Sequence, residues 1–298
     1  MLIRKIVLLS LILITCMACN KVSEEQIQNT FDYVPEKTSL IIESADFSAM
    51  GDVMQNNVIF DDINQEQHVL LKRINRLVNY IPNSSGLLNF SQLGNKNYFL
   101  TFIENKNTTR FQLEKSSIQD SVIYEQKKIY KLNLEDELYY TQLSNLNIFS
   151  ESKLIIENSI RNYTYGIEQG IDFNKLRKTV SNNSASVYFN SDHLIDLVAL
   201  GFHPKKFPIF QNLFGWSAFD LKFSEEQIRL SGVYPFTSES QHKIHLLTNQ
   251  KAFETTMARF VPMSAIGVET YGINDLKNYF KKQKTIAFSG SGGGISCS

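Results

Sequence analysis

The sequence predicts an α+β fold: an antiparallel β-meander sheet with helices packed mainly on one face. Three observations carry that prediction. Short runs alternate apolar and polar residues between turn signals. In "WSAFDLKF" and "QIRLSGVYPF", around the turn "SEE", Phe219, Leu221 and Phe223 face the core while Asp220 and Lys222 face out. Other stretches, such as "KLIIENSIRNYTYGI", space their apolar residues for a helix. A strand-then-helix unit also recurs, as "YVPEKTSLIIESADFSAMGDV" from Tyr33 and "FVPMSAIGVETYGINDLKNYF" from Phe260.

In chain order, Arg4 and Lys5 precede "IVLLSLILI", Ile6 to Ile14, the charged and apolar parts of a signal peptide. The run is shorter than the roughly 20 apolar residues of a membrane-spanning helix. In "TCMACNK", Ala18 before Cys19 resembles a bacterial lipobox, which implies cleavage after residue 18 and a lipid on Cys19. Cys16 stands where Leu is commoner and is the competing acceptor, although Thr15 is a less typical cleavage neighbour; a plain secreted protein is the other reading. Several acyl chains at roughly 0.8 kcal/mol per buried methylene would make the anchor stable. Asn20, in place of the Asp that retains enteric lipoproteins at the inner membrane, favours the outer membrane, facing either periplasm or surface. Residues 19–30 are polar and aperiodic and read as a tether.

Lys plus Arg and Asp plus Glu number 30 each, so no global field attracts nucleic acid. A mature chain from Cys19 retains Cys297 beside the acylated cysteine, so no disulfide staples it and the core must hold the fold.

An α+β module is expected over 31–257, and a second, truncated repeat with a Gly/Ser-rich tail over 258–298. Aligning Pro35 with Pro262 pairs Tyr33 with Phe260, Val34 with Val261, Glu43 with Glu269 and Met50 with Leu276, one residue being dropped in the later copy. Val-Pro breaks each preceding element. A short apolar strand and a helix follow, with Phe47, Met50, Val53 and Met54 on one helical face and Ile273, Leu276, Tyr279 and Phe280 on the other copy's. A fainter copy, "SASVYFNSDHLIDLVALGF", lies midway.

Between these, Ile63, Leu70, Ile74, Leu77 and Ile81 predict a long amphipathic helix ended by Pro82. "NSSGLLNFSQLGNKN" reads as loop, and "YFLTFIE" with "TRFQLEKS" as a hairpin. "SVIYEQKKIYKLNL" and "LYYTQLSNLNIFSES" continue the meander, and helices follow at "KLIIENSIRNYTYGI" and "FNKLRKTV". "TIAF" near the end is strand-like.

"YVPEKTSLIIES" behind a lipidated start, "NIFSESKLIIENSI", and the fresh "FVPMSAIGVE" together resemble a family of bacterial envelope lipoproteins built on a domain without an assigned function. The resemblance spans about residues 31 to 285. It implies envelope location and duplicated modules, and it carries no catalytic residues.

Candidate chemistry is thin. "SGSGGGIS" lacks the following helix that a phosphate loop needs. His242 and His245 in "HKIH" lie three apart on an expected strand, hence on opposite faces, without further ligands. Ser191, Asp192 and His193 are sequence neighbours, which a catalytic triad cannot be, and Asp192 reads as a helix cap. "DDINQE" lacks calcium-loop spacing. "FHPKKFPIFQNLFGW" gathers Phe207, Phe210, Phe214 and Trp216. Core packing is the first reading there, and an aromatic contact patch for a protein, glycan or lipid is the second. No cofactor or metal is implied. The function expected is a lipid-anchored, non-enzymatic binding or scaffold protein. The alternative is a periplasmic carrier or chaperone-like module for hydrophobic cargo.

Overall fold

A computed structural model describes residues 29–55, 72–74, 76–77, 80–81, 85–94, 97–105, 111–134, 136–166, 171–181, 185–198, 215–224, 227–235, 246, 250–251, 256–262 and 272–290. Its strands are β1 Thr38–Ser44, β2 Gly86–Leu93, β3 Asn97–Asn105, β4 Ile118–Tyr124, β5 Lys127–Leu132, β6 Tyr139–Leu143, β7 Leu146–Ser150, β8 Ala185–Asn190, β9 Trp216–Ser224 and β10 Gln227–Val233. Its α-helices are α1 Phe47–Gln55, α2 Lys153–Tyr165, α3 Ile171–Arg177, α4 Ser191–Val198 and α5 Leu276–Gly290.

All the strands join one ten-stranded sheet, in the order β10-β9-β8-β1-β2-β3-β7-β6-β5-β4. Every pairing in it is antiparallel. The expected α+β class and the meander β4 to β7 are therefore present. Glu125 and Gln126, with φ of 44° and 62°, make the tight turn between β4 and β5 that such a hairpin favours. At mid-sheet β1 lies against β8, with Ile41 opposite Tyr188. Each of these two strands leads into a helix and then a hairpin: β1, α1, β2–β3 on one side and β8, α4, β9–β10 on the other.

Strand side chains alternate between two apolar clusters. Ile41, Leu87, Ile103, Ile129, Ile148 and Tyr188 meet Ile156 and Ile160 of α2 and Phe173 of α3. Leu88, Phe90, Leu100, Phe102, Tyr140 and Phe149 meet Phe47 and Met50 of α1 with Ile74, Leu77 and Ile81. Helical residues thus cover both faces, not mainly one. The reason is that the central strands are apolar at odd and even positions alike, and either face left bare would expose them.

β2 occupies the segment read as loop. Its polar residues point into the core: Asn89 and Ser91 are fully buried. The Ser91 hydroxyl pairs with Thr38 at 2.8 Å, and Asn89 Nδ2 donates to the Thr101 carbonyl at 3.4 Å. Alternation fails as a signal where polar side chains bond inside the core, although Asn89 Oδ1 itself finds no partner there among the described residues. The hairpin expected for "YFLTFIE" with "TRFQLEKS" also differs. β3 pairs with β2 and β7, while residues 111–114 run outside any strand. "TIAF" lies in α5, not in a strand.

The two Val-Pro sites share a feature. A one-turn 3-10 helix, Thr30–Tyr33, ends just before Val34-Pro35, and another, Met257–Phe260, ends just before Val261-Pro262. The first is core: Phe31, Tyr33 and Val34 are buried. Helix α2 receives it, with Ser159 Oγ donating to the Tyr33 carbonyl at 3.0 Å and Asn162 Nδ2 to that of Val34 at 3.1 Å. The strand expected after the second lies outside the described residues.

Candidate functional site

The cleft with the richest chemistry sits on the β7-β6-β5 end of the sheet. Cross-strand register builds it from two adjacent rows. One row is aromatic: Tyr130 lies opposite Tyr140, Tyr140 opposite Phe149, and Phe149 opposite Phe102. The next row on the same face is polar: Gln142 lies opposite Asn147 and Asn147 opposite Glu104, with Lys128 at the outer end. Phe111 packs edge-on against Phe149, ring centroids 4.8 Å apart, and forms the far wall with Leu113. The space enclosed is about 490 Å³, within the range of small-ligand sites.

The polar row is held in a fixed orientation. Tyr140 Oη donates to Asn147 Oδ1 at 2.9 Å, and Asn147 Nδ2 donates to Glu104 Oε1 at 2.9 Å. Glu104 is fully buried and Asn147 nearly so. Burial, then the nearby Glu104 carboxylate, pushes the Tyr140 hydroxyl far above its ordinary range, so it remains a donor at any physiological pH. Lys128 Nζ lies 5.1 Å from the Tyr130 ring centre. Exposed Gln112, Lys128 and Gln142 rim the opening, while Tyr130 and Phe111 present half-buried rings.

A second polar cluster lies at mid-sheet, where β1 meets β8. Tyr188 Oη donates to Glu43 Oε2 at 2.7 Å. Arg177 stacks 3.7 Å from the Phe31 ring centre, and its Nη1 donates to Asn29 Oδ1 at 3.0 Å. Burial, then Glu43, raises the Tyr188 hydroxyl far above its usual range. Burial raises the Asp32 carboxyl, and attraction to Arg177 opposes this. These contacts tie the entry turn to β1, β8 and α3. The shallow cleft of about 240 Å³ beside them is lined by Thr30, Glu43, Ser44, Ser85, Asn105 and Ser186.

Of the residues singled out from sequence, Cys19, Phe207, Phe210 and Phe214 lie outside the described residues, as do His242 and His245. Trp216 is the first residue of β9; it is half-buried against the core, its ring 4.7 Å from Phe173. Helix α4 begins at Ser191, earlier than expected, and Asn190 takes the capping place assigned to Asp192. Asn190 Oδ1 accepts from Asp192 N at 3.1 Å, while Asp192 Oδ1 accepts from Gly215 N at 3.4 Å. Among the described residues, no group of three or more His, Cys, Asp or Glu could hold a metal ion, and no helix is long and apolar enough to cross a membrane. The cleft residues carry no signal in the sequence because each is an ordinary strand residue. Only register makes Lys128, Gln142, Asn147 and Glu104 neighbours.

No family model matches the sequence, and no curated protein matches it. Among solved structures, crystal form I of TP0453 is similar at 9% identity with a TM-score of 0.36, over 65% of this chain and 73% of that one.

Proposed function

We propose that the protein is a lipid-anchored binding protein of the cell envelope, of the lipoprotein family it resembles, acylated on Cys19 and held at the outer membrane. Its β5–β7 cleft takes a short glycan segment. The observation that carries this reading is the pair of rows described above. Half-buried aromatic rings offer faces to the C–H side of a sugar, and the adjacent amides and lysine offer donors and acceptors at hydroxyl spacing. The Asn147 amide, locked by Tyr140 and Glu104, would read a hydroxyl without reorganising. The carrier reading asks for an apolar space between helices and sheet. Both apolar clusters of the described residues are filled by side chains instead.

Calorimetric titration with N-acetylated and unmodified oligosaccharides tests the cleft. Gln142→Ala and Tyr130→Ala are each expected to weaken binding by about fivefold to tenfold, equivalent to one lost polar or aromatic contact. The melting temperature of Gln142→Ala should barely move, and that of Tyr130→Ala should fall only by the loss of its packing on Tyr140. Affinity unchanged in both variants, or no binding to any sugar, would remove the glycan reading. Fractionation of cells carrying Cys19→Ser tests the anchor: the acylated protein stays with membrane, and retention of the variant there would refute acylation as the cause.

A further inference from the structure

The second Val-Pro turn differs from the first in what covers it. In the first, Tyr33 is 3% exposed and Val34 fully buried; in the second, Phe260 is 75% exposed. The helices that follow diverge in the same way. Each is capped by an aspartate: Asp46 Oδ1 accepts from Ala49 N at 3.0 Å, and Asp275 Oδ1 from Asn278 N at 2.9 Å. The caps put Phe47 in register with Leu276, three residues away from the pairing of Met50 with Leu276 read from sequence. Phe47 is fully buried on the sheet, whereas Leu276 is 58% and Phe280 54% exposed.

Charge distinguishes the two helices further. Helix α1, "FSAMGDVMQ", carries no basic residue. Helix α5, "LKNYFKKQKTIAFSG", carries Lys277, Lys281, Lys282 and Lys284 and no acidic residue. Leu276 and Phe280 are one turn apart and share a face, and Lys277 and Lys281 flank it. An α1-like burial against another protein sheet would be served by the apolar residues alone. Exposed apolar side chains flanked by lysines suit an interface that is apolar below and anionic above.

We infer that α5 is an interfacial helix that lies on an anionic membrane surface, with Leu276 and Phe280 entering the acyl boundary and Lys277 and Lys281 meeting lipid phosphates. This extends the envelope reading above by giving the anchored protein a second membrane contact, although the contact itself needs no acyl chain.

The test uses the chain from Asn20 onward without a lipid, which keeps every described residue from Asn29. It is sedimented with phosphatidylcholine vesicles that contain or lack phosphatidylglycerol. Binding is expected to the anionic vesicles only and to fall as salt rises. Lys277→Gln and Lys281→Gln should each lower the partition coefficient about fivefold. The pair Leu276→Ser with Phe280→Ser should lower it by about tenfold or more, with the melting temperature unchanged because both side chains are exposed. Absence of binding, or undiminished binding by the serine pair, overturns the inference. A dimer in solution that the serine pair dissociates overturns it too, because the helix would then belong to a second copy. The assay involves neither Cys19 nor the β5–β7 cleft, so its failure leaves the glycan and acylation experiments untouched.

Discussion

Tyr33→Ala and Phe260→Ala change the same place in two copies of one turn, and the structure assigns them opposite consequences. Tyr33 is 3% exposed, its ring stacked on Tyr163 at 5.8 Å, within the cluster that also holds Phe31, Ile156 and Ile160. Truncating an aromatic residue so enclosed removes its transfer energy and leaves a cavity, about 3 to 5 kcal/mol. The backbone bonds from Ser159 and Asn162 to the turn do not depend on the ring, so the loss should stay near that range. Phe260 at 75% exposure should change stability by no more than about 0.5 kcal/mol. Urea unfolding of the full chain reads both. In a protein of this size each kcal/mol also moves the melting temperature by roughly 2 to 4 °C, so the Tyr33 variant should melt about 6 to 20 °C lower and the Phe260 variant at the parent temperature. A loss below about 1 kcal/mol at Tyr33 would mean that the entry turn is not part of the core. A comparable loss at both sites would mean that Phe260 is docked in solution.

Glu151 should act as a buried hub. Its carboxylate accepts from Arg73 Nε at 3.0 Å, Arg76 Nη2 at 3.1 Å and the Leu100 amide at 3.0 Å, with the side chain 10% exposed. Glu151→Gln is expected to cost about 2 to 3 kcal/mol, nearly the same in high salt, because burial limits screening; a loss that salt abolishes would refute this. Asp32 gives a pH signature. Its carboxyl holds a proton more tightly folded than unfolded, so the folded state binds more protons and stability falls as pH rises through the raised folded value. Asp32→Asn should therefore be more stable than the parent at neutral pH and equal to it in acid, and a difference independent of pH would show that charge is not the cause.

The parts of the fold legible in the sequence are those in which local pattern and tertiary burial agree. The tight turns between β4 and β5 and between β6 and β7, and the apolar stripe of α2 ended by Gly166 at φ 64°, obey local rules and are readable. β2 is not, because at mid-sheet its Asn89 donates to the Thr101 carbonyl and its Ser91 pairs with Thr38 on the adjoining strands, so a loop-like composition makes a buried strand. The same limit hides the cleft. Lys128, Gln142, Asn147 and Glu104 lie on four strands, with Glu104 and Asn147 43 positions apart in the chain, and nothing local marks any of them. Their chemistry is a property of register, since a slip of one residue in β6 would send Gln142 to the opposite face and bring Thr141 in its place. The β6–β7 turn, with Ser144 at φ 53°, fixes that register. A turn residue that touches no ligand therefore decides whether the polar row exists at all.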